Sequence, residues 1–104
     1  MSVVRINAIE VPPERAAELE RRFEQRAGEV EGQEGFLGFE LLRPTDGKST
    51  YLVYTRWRSE EDFRRWVESD AFRRGHAAHD REGPVAPHSE LWAFEVAQEA
   101  TAAQ

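Results

Sequence analysis

Four short runs in this chain are strand-like and apolar on both sides, and that pattern limits the fold more than any other feature. They are Val3 to Val11, Phe36 to Arg43, Thr50 to Arg58 and Glu90 to Val96. In the second run Leu37, Phe39 and Leu41 alternate with Phe36 and Leu42; in the third, Tyr51, Val53 and Trp57 alternate with Leu52 and Tyr54. In the fourth, Leu91 and Ala93 alternate with Trp92, Phe94 and Val96. Successive strand side chains point to opposite faces, so a sheet built from these runs is apolar on both faces and needs two covers. The chain has helical segments enough for one. The other face would expose a broad apolar patch, which soluble monomers rarely do. The expectation is a two-fold dimer packed sheet to sheet.

The connecting segments fix the order. Val3 to Val11 ends at Pro12-Pro13, which cannot continue a ladder. Pro13 suits the first turn of a helix, and Glu14 complements the dipole there. Ala16, Leu19, Phe23, Ala27 and Val30 form an apolar stripe at helical spacing, with Gly28 and Gly32 ending it. Thr45-Asp46-Gly47-Lys48 reads as a hairpin turn of the Asp-Gly kind. Ser59 followed by Asp62 resembles a capping box, so a second helix starts at Glu60 and carries Phe63, Trp66 and Val67 inward. Ser69-Asp70 reads as a break with a new N-cap, and a further helix runs from Ala71 to about Asp80. The order β-α-β-β-α-β is the ferredoxin-like one: an α+β fold with a four-stranded antiparallel sheet and helices on one face. Residues 1–97 are expected to form a single domain, with 98–104 as a disordered polar tail.

Composition closes off several classes of function. The 104 residues carry a net charge of −6, against a general nucleic-acid or anionic-membrane binder. There is no cysteine, which excludes disulfides, thiolate chemistry and Cys-type zinc sites. The N-terminal run lacks a signal-peptide layout and no apolar run spans a membrane, so a cytoplasmic location is expected. Of the 14 basic residues only Lys48 is a lysine. The arginines supply planar forks suited to carboxylates if some of them line a cleft.

Candidate chemistry gathers in Trp66 to His79, WVESDAFRRGHAAH. On a helix Phe72, His76 and His79 share one face. A lone His on a helix face is more often structural or exposed than a ligand. His76 and His79 lack the third firm ligand of a zinc site, and His79 reads as a solvated helix end. One axial bond to a haem asks less: one neutral imidazole in an apolar slot, which Phe72, Trp66 and Phe23 could supply. Trp66 alone reads as core, and Asn7 as an amide satisfying a backbone group. Arg22 and Arg26 could simply pair with Glu18 or Glu29 at helical spacing. The sequence holds no nucleophile elbow, no phosphate-cradling glycine loop and no dinucleotide-binding fingerprint.

VVRINAIEV, ELERRFEQR, GFLGFELLRP and the run from Trp57 through His76 resemble the antibiotic-biosynthesis-monooxygenase-like dimeric α+β barrel superfamily. Within it, Asn7, Trp66 and His76 with the WVESDAFRRGH spacing resemble the IsdG-type haem-degrading monooxygenases, close to their mycobacterial branch. The resemblance covers about residues 3 to 96. It implies that His76 is the proximal ligand to haem iron, and that Asn7 is the distal amide facing the oxygen-binding side. Trp66 would press the porphyrin out of plane. Phe23 would line the pocket, and Arg22 and Arg26 would be basic positions near it. It further implies haem as both cofactor and substrate, with O2 and an external electron donor, in a homodimer. Two other readings stay open beside it. One is a cofactor-free monooxygenase acting on aromatic or quinol substrates in the same cleft. The other is a non-catalytic dimeric ligand-binding module.

Overall fold

The computed structural model describes residues 2–25, 28, 30–74 and 88–103. Four strands, β1 (Val3–Glu10), β2 (Phe36–Leu42), β3 (Thr50–Trp57) and β4 (His88–Glu95), form one antiparallel sheet in the order β2-β3-β1-β4. A single-turn 3₁₀ segment, Pro13–Arg15, leads into α1 (Ala16–Gln25), and α2 (Glu60–Val67) follows β3. Residues 70–74 are helical as well. The ferredoxin-like order expected from the sequence is therefore observed.

Strand β1 is paired along its whole length on both sides. Asn7 lies opposite Val53 of β3 and Leu91 of β4, while Val3 lies opposite Trp57. The helices cover the face carrying the odd-numbered residues of β1. At one end Ile9, Val11, Leu19 of α1 and Tyr51 form a core cluster, with Ala16, Phe23, Leu41 and Val53 packed against it. At the other end Trp57 is fully buried and meets Phe36, Phe63 and Trp66 ring to ring. Burying aromatics of this size contributes about 3 kcal/mol or more each against truncation. These two clusters fix the two helices at opposite ends of one strand.

The opposite face carries Ile6, Leu42, Leu52, Tyr54, Trp92 and Phe94 by alternation. Trp92 and Phe94 are exposed there, and Leu42 also. The two-sided apolar pattern thus survives into the structure as a sheet face that no described helix covers.

Two details differ from expectation. The β2–β3 connection is not a tight Asp-Gly hairpin: β2 ends at Leu42 and β3 starts at Thr50. Gly47 has φ of 86°, and the Lys48 amide donates to Asp46 Oδ1 at 3.1 Å, so Asp-Gly makes a local turn inside a longer loop. The last strand begins at His88, two residues before the expected Glu90, and His88 pairs with Glu10.

Candidate functional site

Helix α2 begins where the sequence predicts. Ser59 is extended, with φ of −154°, and its Oγ accepts from the Asp62 amide at 3.2 Å. The Asp62 side chain does not close a reciprocal capping box. It turns inward, 1% exposed, and gathers donors. Arg58 reaches it with two bonds of 2.9 Å, Arg65 with one of 2.9 Å, and the Ser59 hydroxyl donates at 2.8 Å. Arg58 chiefly, with Ser59, holds the Asp62 carboxyl below the usual carboxylate range. Gly35 presses against this carboxylate. Its φ is 79°, and a Cβ there would stand 2.2 Å from Asp62 Cγ. Charged hydrogen bonds and a glycine contact thereby pin α2 to the start of β2.

This anchoring sets the pose of Trp66. Its indole stacks on Trp57 at 6.4 Å between ring centroids with planes 25° apart. It meets Phe72 at 5.5 Å and 84°. The predicted second cap at Ser69 is present, because Ser69 Oγ accepts from the Phe72 amide at 3.1 Å. That cap places Phe72 one turn beyond Trp66. These two candidate residues are therefore in contact, and both are half-buried.

Asn7 is half-buried in mid-strand, on the face that the helices cover. It lies between the two aromatic clusters rather than inside either. Its side-chain amide makes no hydrogen bond to another described residue, so the donor is available at the seam. On its β4 side stands Leu91, 64% exposed. On α1, Phe23 stacks on Phe39 at 6.0 Å with planes 27° apart. Arg22 is 5% exposed, and its Nε donates to Glu18 Oε2 at 3.0 Å. Arg21 first and Arg22 next hold the Glu18 carboxyl down at about 2. The pairing of Arg22 with Glu18 is the one that helical spacing suggests. Arg26, His76 and His79 lie outside the described residues.

Sequence reading missed Arg5. It is 9% exposed, its Nη2 donates to Glu60 Oε1 at 2.5 Å, and its guanidinium carbon lies 5.1 Å from the centre of the Phe63 ring. A cation over an aromatic face, with a carboxylate at the rim, ties β1 to the first turn of α2. The available signal was a basic residue on the inward side of a strand two positions from Asn7.

Such a seam suits a flat, largely apolar ligand. The helix-covered face offers a broad indole, phenyl rings and one amide without a partner among the described residues, while the described arginines of α1 are held by Glu18. Aromatic surfaces and a half-buried amide with no partner among the described residues are the residue types that a flat macrocycle would meet.

Residues 2–78 match the family model described as antibiotic biosynthesis monooxygenase. A haem oxygenase (mycobilin-producing) of Mycobacterium tuberculosis is 51% identical over 96 residues, covering 92% of this chain and 90% of that protein. The structure of the haem-degrader MhuD from Mycobacterium tuberculosis, with two haems bound in its active site, superposes with a TM-score of 0.83. It is 48% identical and covers 95% of this chain and 99% of that one. A variant of SnoaB, a cofactor-independent oxygenase from Streptomyces nogalater, superposes with a TM-score of 0.76 at 26% identity, covering 94% and 95% of the two chains.

Proposed function

Because the chain belongs to the antibiotic biosynthesis monooxygenase family, we propose that it is a haem-degrading monooxygenase. The observation that carries this reading is the 51% identity, over nearly the whole chain, to a haem oxygenase. When bound, haem supplies both the iron that activates oxygen and the ring that is opened, so the reaction draws its electrons from an external donor.

The chain's own residues take the following parts. His76 would hold the haem iron through one neutral imidazole. Asn7 would supply an amide that donates a hydrogen bond to the bound group yet has no acidic proton to give. Trp66 presents a wide rigid surface against the ring, and Phe23 and Phe72 exclude water beside it. Arg22 and Arg26 place positive charge near the macrocycle's carboxylates in a protein of net charge −6. The working unit is residues 1–97, acting in the cytoplasm as a homodimer whose subunits meet through the exposed sheet face.

Haemin titration tests the proposal. A Soret shift that saturates, followed by bleaching and iron release on adding ascorbate or a reductase, is the expected result. His76→Ala should lose the ligand-dependent Soret position and weaken binding by about tenfold or more. Wild-type binding and degradation by that variant would remove His76 from its role. The likeness to SnoaB supports a second reading, oxygenation of a flat aromatic without haem. Oxygen uptake with a quinol-type substrate and no haemin affinity would select it.

A further inference from the structure

Trp57 occupies a position that the proposed reaction does not use. It is the most buried large side chain described, with 0% exposure, and its Nε1 finds no hydrogen-bond acceptor among the described residues. Buried indole N–H groups normally find one. No polar tether therefore sets the plane of this ring. Three ring contacts do: Phe36 at 5.5 Å and 73°, Phe63 at 5.9 Å and 67°, and the near-parallel stack under Trp66. Its backbone is held by ladders to both Val3 and Phe36, at the end of the sheet that α2 covers.

We infer that Trp57 is a positioning residue, the backing plate that fixes the tilt of Trp66 against a bound macrocycle. The inference rests on the reading of Trp66 as the wall of the haem site. Helix α2 has only eight residues, so it cannot hold a large ring rigidly by itself. A push on Trp66 passes to Trp57, then to Phe36 and Phe63 and into the sheet. A smaller ring at 57 would leave a gap behind Trp66, and the wall would yield instead of bending the macrocycle.

The prediction has a readout that needs no haem. Two stacked indoles couple their transitions, so the apo protein should show a far-ultraviolet exciton couplet by circular dichroism. Trp57→Phe and Trp66→Phe should each abolish it. With haemin bound, Trp57→Phe should keep affinity within about threefold of wild type. Its haem-methyl proton shifts should move toward those of a planar ring, in the same direction as in Trp66→Phe. A couplet that persists in Trp57→Phe overturns the stack. Loss of the couplet with wild-type haem shifts reduces Trp57 to a core residue and overturns its positioning role. If Trp66→Phe itself leaves the shifts unchanged, the fault lies in the reading of Trp66 as the wall, and the positioning role falls with it. If Trp57→Phe does not fold, the wild-type protein loaded with diamagnetic gallium protoporphyrin decides the matter. Nuclear Overhauser contacts between the two indoles support the backing plate, and their absence overturns it.

Discussion

Asn7 shows how one residue's placement differs from its type. A mid-strand asparagine is unfavourable by propensity and, when buried, must find a partner. This one is half-buried, has no partner among the described residues, and sits between two aromatic clusters. We expect Asn7→Ala to bind haemin with near wild-type affinity while degrading it about tenfold more slowly, the worth of one well-placed hydrogen bond. Single-turnover bleaching under excess reductant separates the two effects. The sequence made Asn7 visible as the odd member of an apolar strand. It could not make Arg5 visible as a buried cation, because burial of that guanidinium depends on Phe63 and Glu60, more than fifty residues away. Trp66 was ambiguous for a related reason. Spacing assigns it to the inward side of a helix, and only the stack on Trp57 shows it at the edge of the core, half-exposed.

Among the elements, α2 depends most on contacts distant in sequence. Gly35→Ala would have to adopt φ near 79° and move Asp62, whose Cγ would lie 2.2 Å from the new Cβ. The left-handed backbone alone costs about 1–2 kcal/mol, and the displaced carboxylate adds to that. We expect a loss of at least about 2 kcal/mol in urea unfolding. Asp62→Ala removes four hydrogen bonds, but Arg58 and Arg65 are at least half-exposed and can return to water. The cost should be about 1–3 kcal/mol, less than that of stranding a buried charge. Helix α1 is latched to the β2–β3 loop by a different device. Arg43 forks onto Glu20 at 2.5 and 2.9 Å, and the Tyr51 hydroxyl donates to the same carboxylate at 2.5 Å. Arg43 first and Tyr51 next lower the Glu20 carboxyl from 4.5 to about 2. A lowered folded-state value means stability that is present above pH 4.5 and lost as pH falls toward about 2. Wild-type unfolding midpoints should fall across that window, and Glu20→Gln, which cannot titrate, should show less of the fall. The strand boundaries and the start of α2 were legible in the sequence to within two residues, because prolines and caps mark them locally, whereas the apolar stripe expected to run to Val30 gives a helix that ends at Gln25. The latch was not, because it joins residues 23 and 31 positions apart.

For the whole molecule, the exposed sheet face is the largest unmet demand. Trp92 is 40% and Phe94 50% exposed there. A homodimer through this face predicts a sedimenting mass twice 12.0 kDa, and Trp92→Glu should shift it toward the single chain by placing a charge in an apolar contact. A variant that remains fully dimeric would place the interface elsewhere. This demand was readable from alternation alone, since strands apolar on both sides cannot be satisfied by two helices. The width of the cleft was not readable. It depends on where each helix lands along β1, and that is decided by packing around Trp57 at one end and Leu19 at the other.

Since both helices are seated on one shared strand, β1 also acts as a ruler with a parity. The loop between Leu42 and Thr50 can gain a residue without altering which side any strand residue faces. Strand β1 cannot. One residue lost between Val3 and Asn7 would turn its remaining side chains over. The amide would move to the face where a second subunit is proposed to dock, and the methyl group of Ala8 would take its place. Length variation in this chain is therefore tolerable in the loops and sharply penalised in one strand, where a shift of a single step would exchange catalysis for assembly.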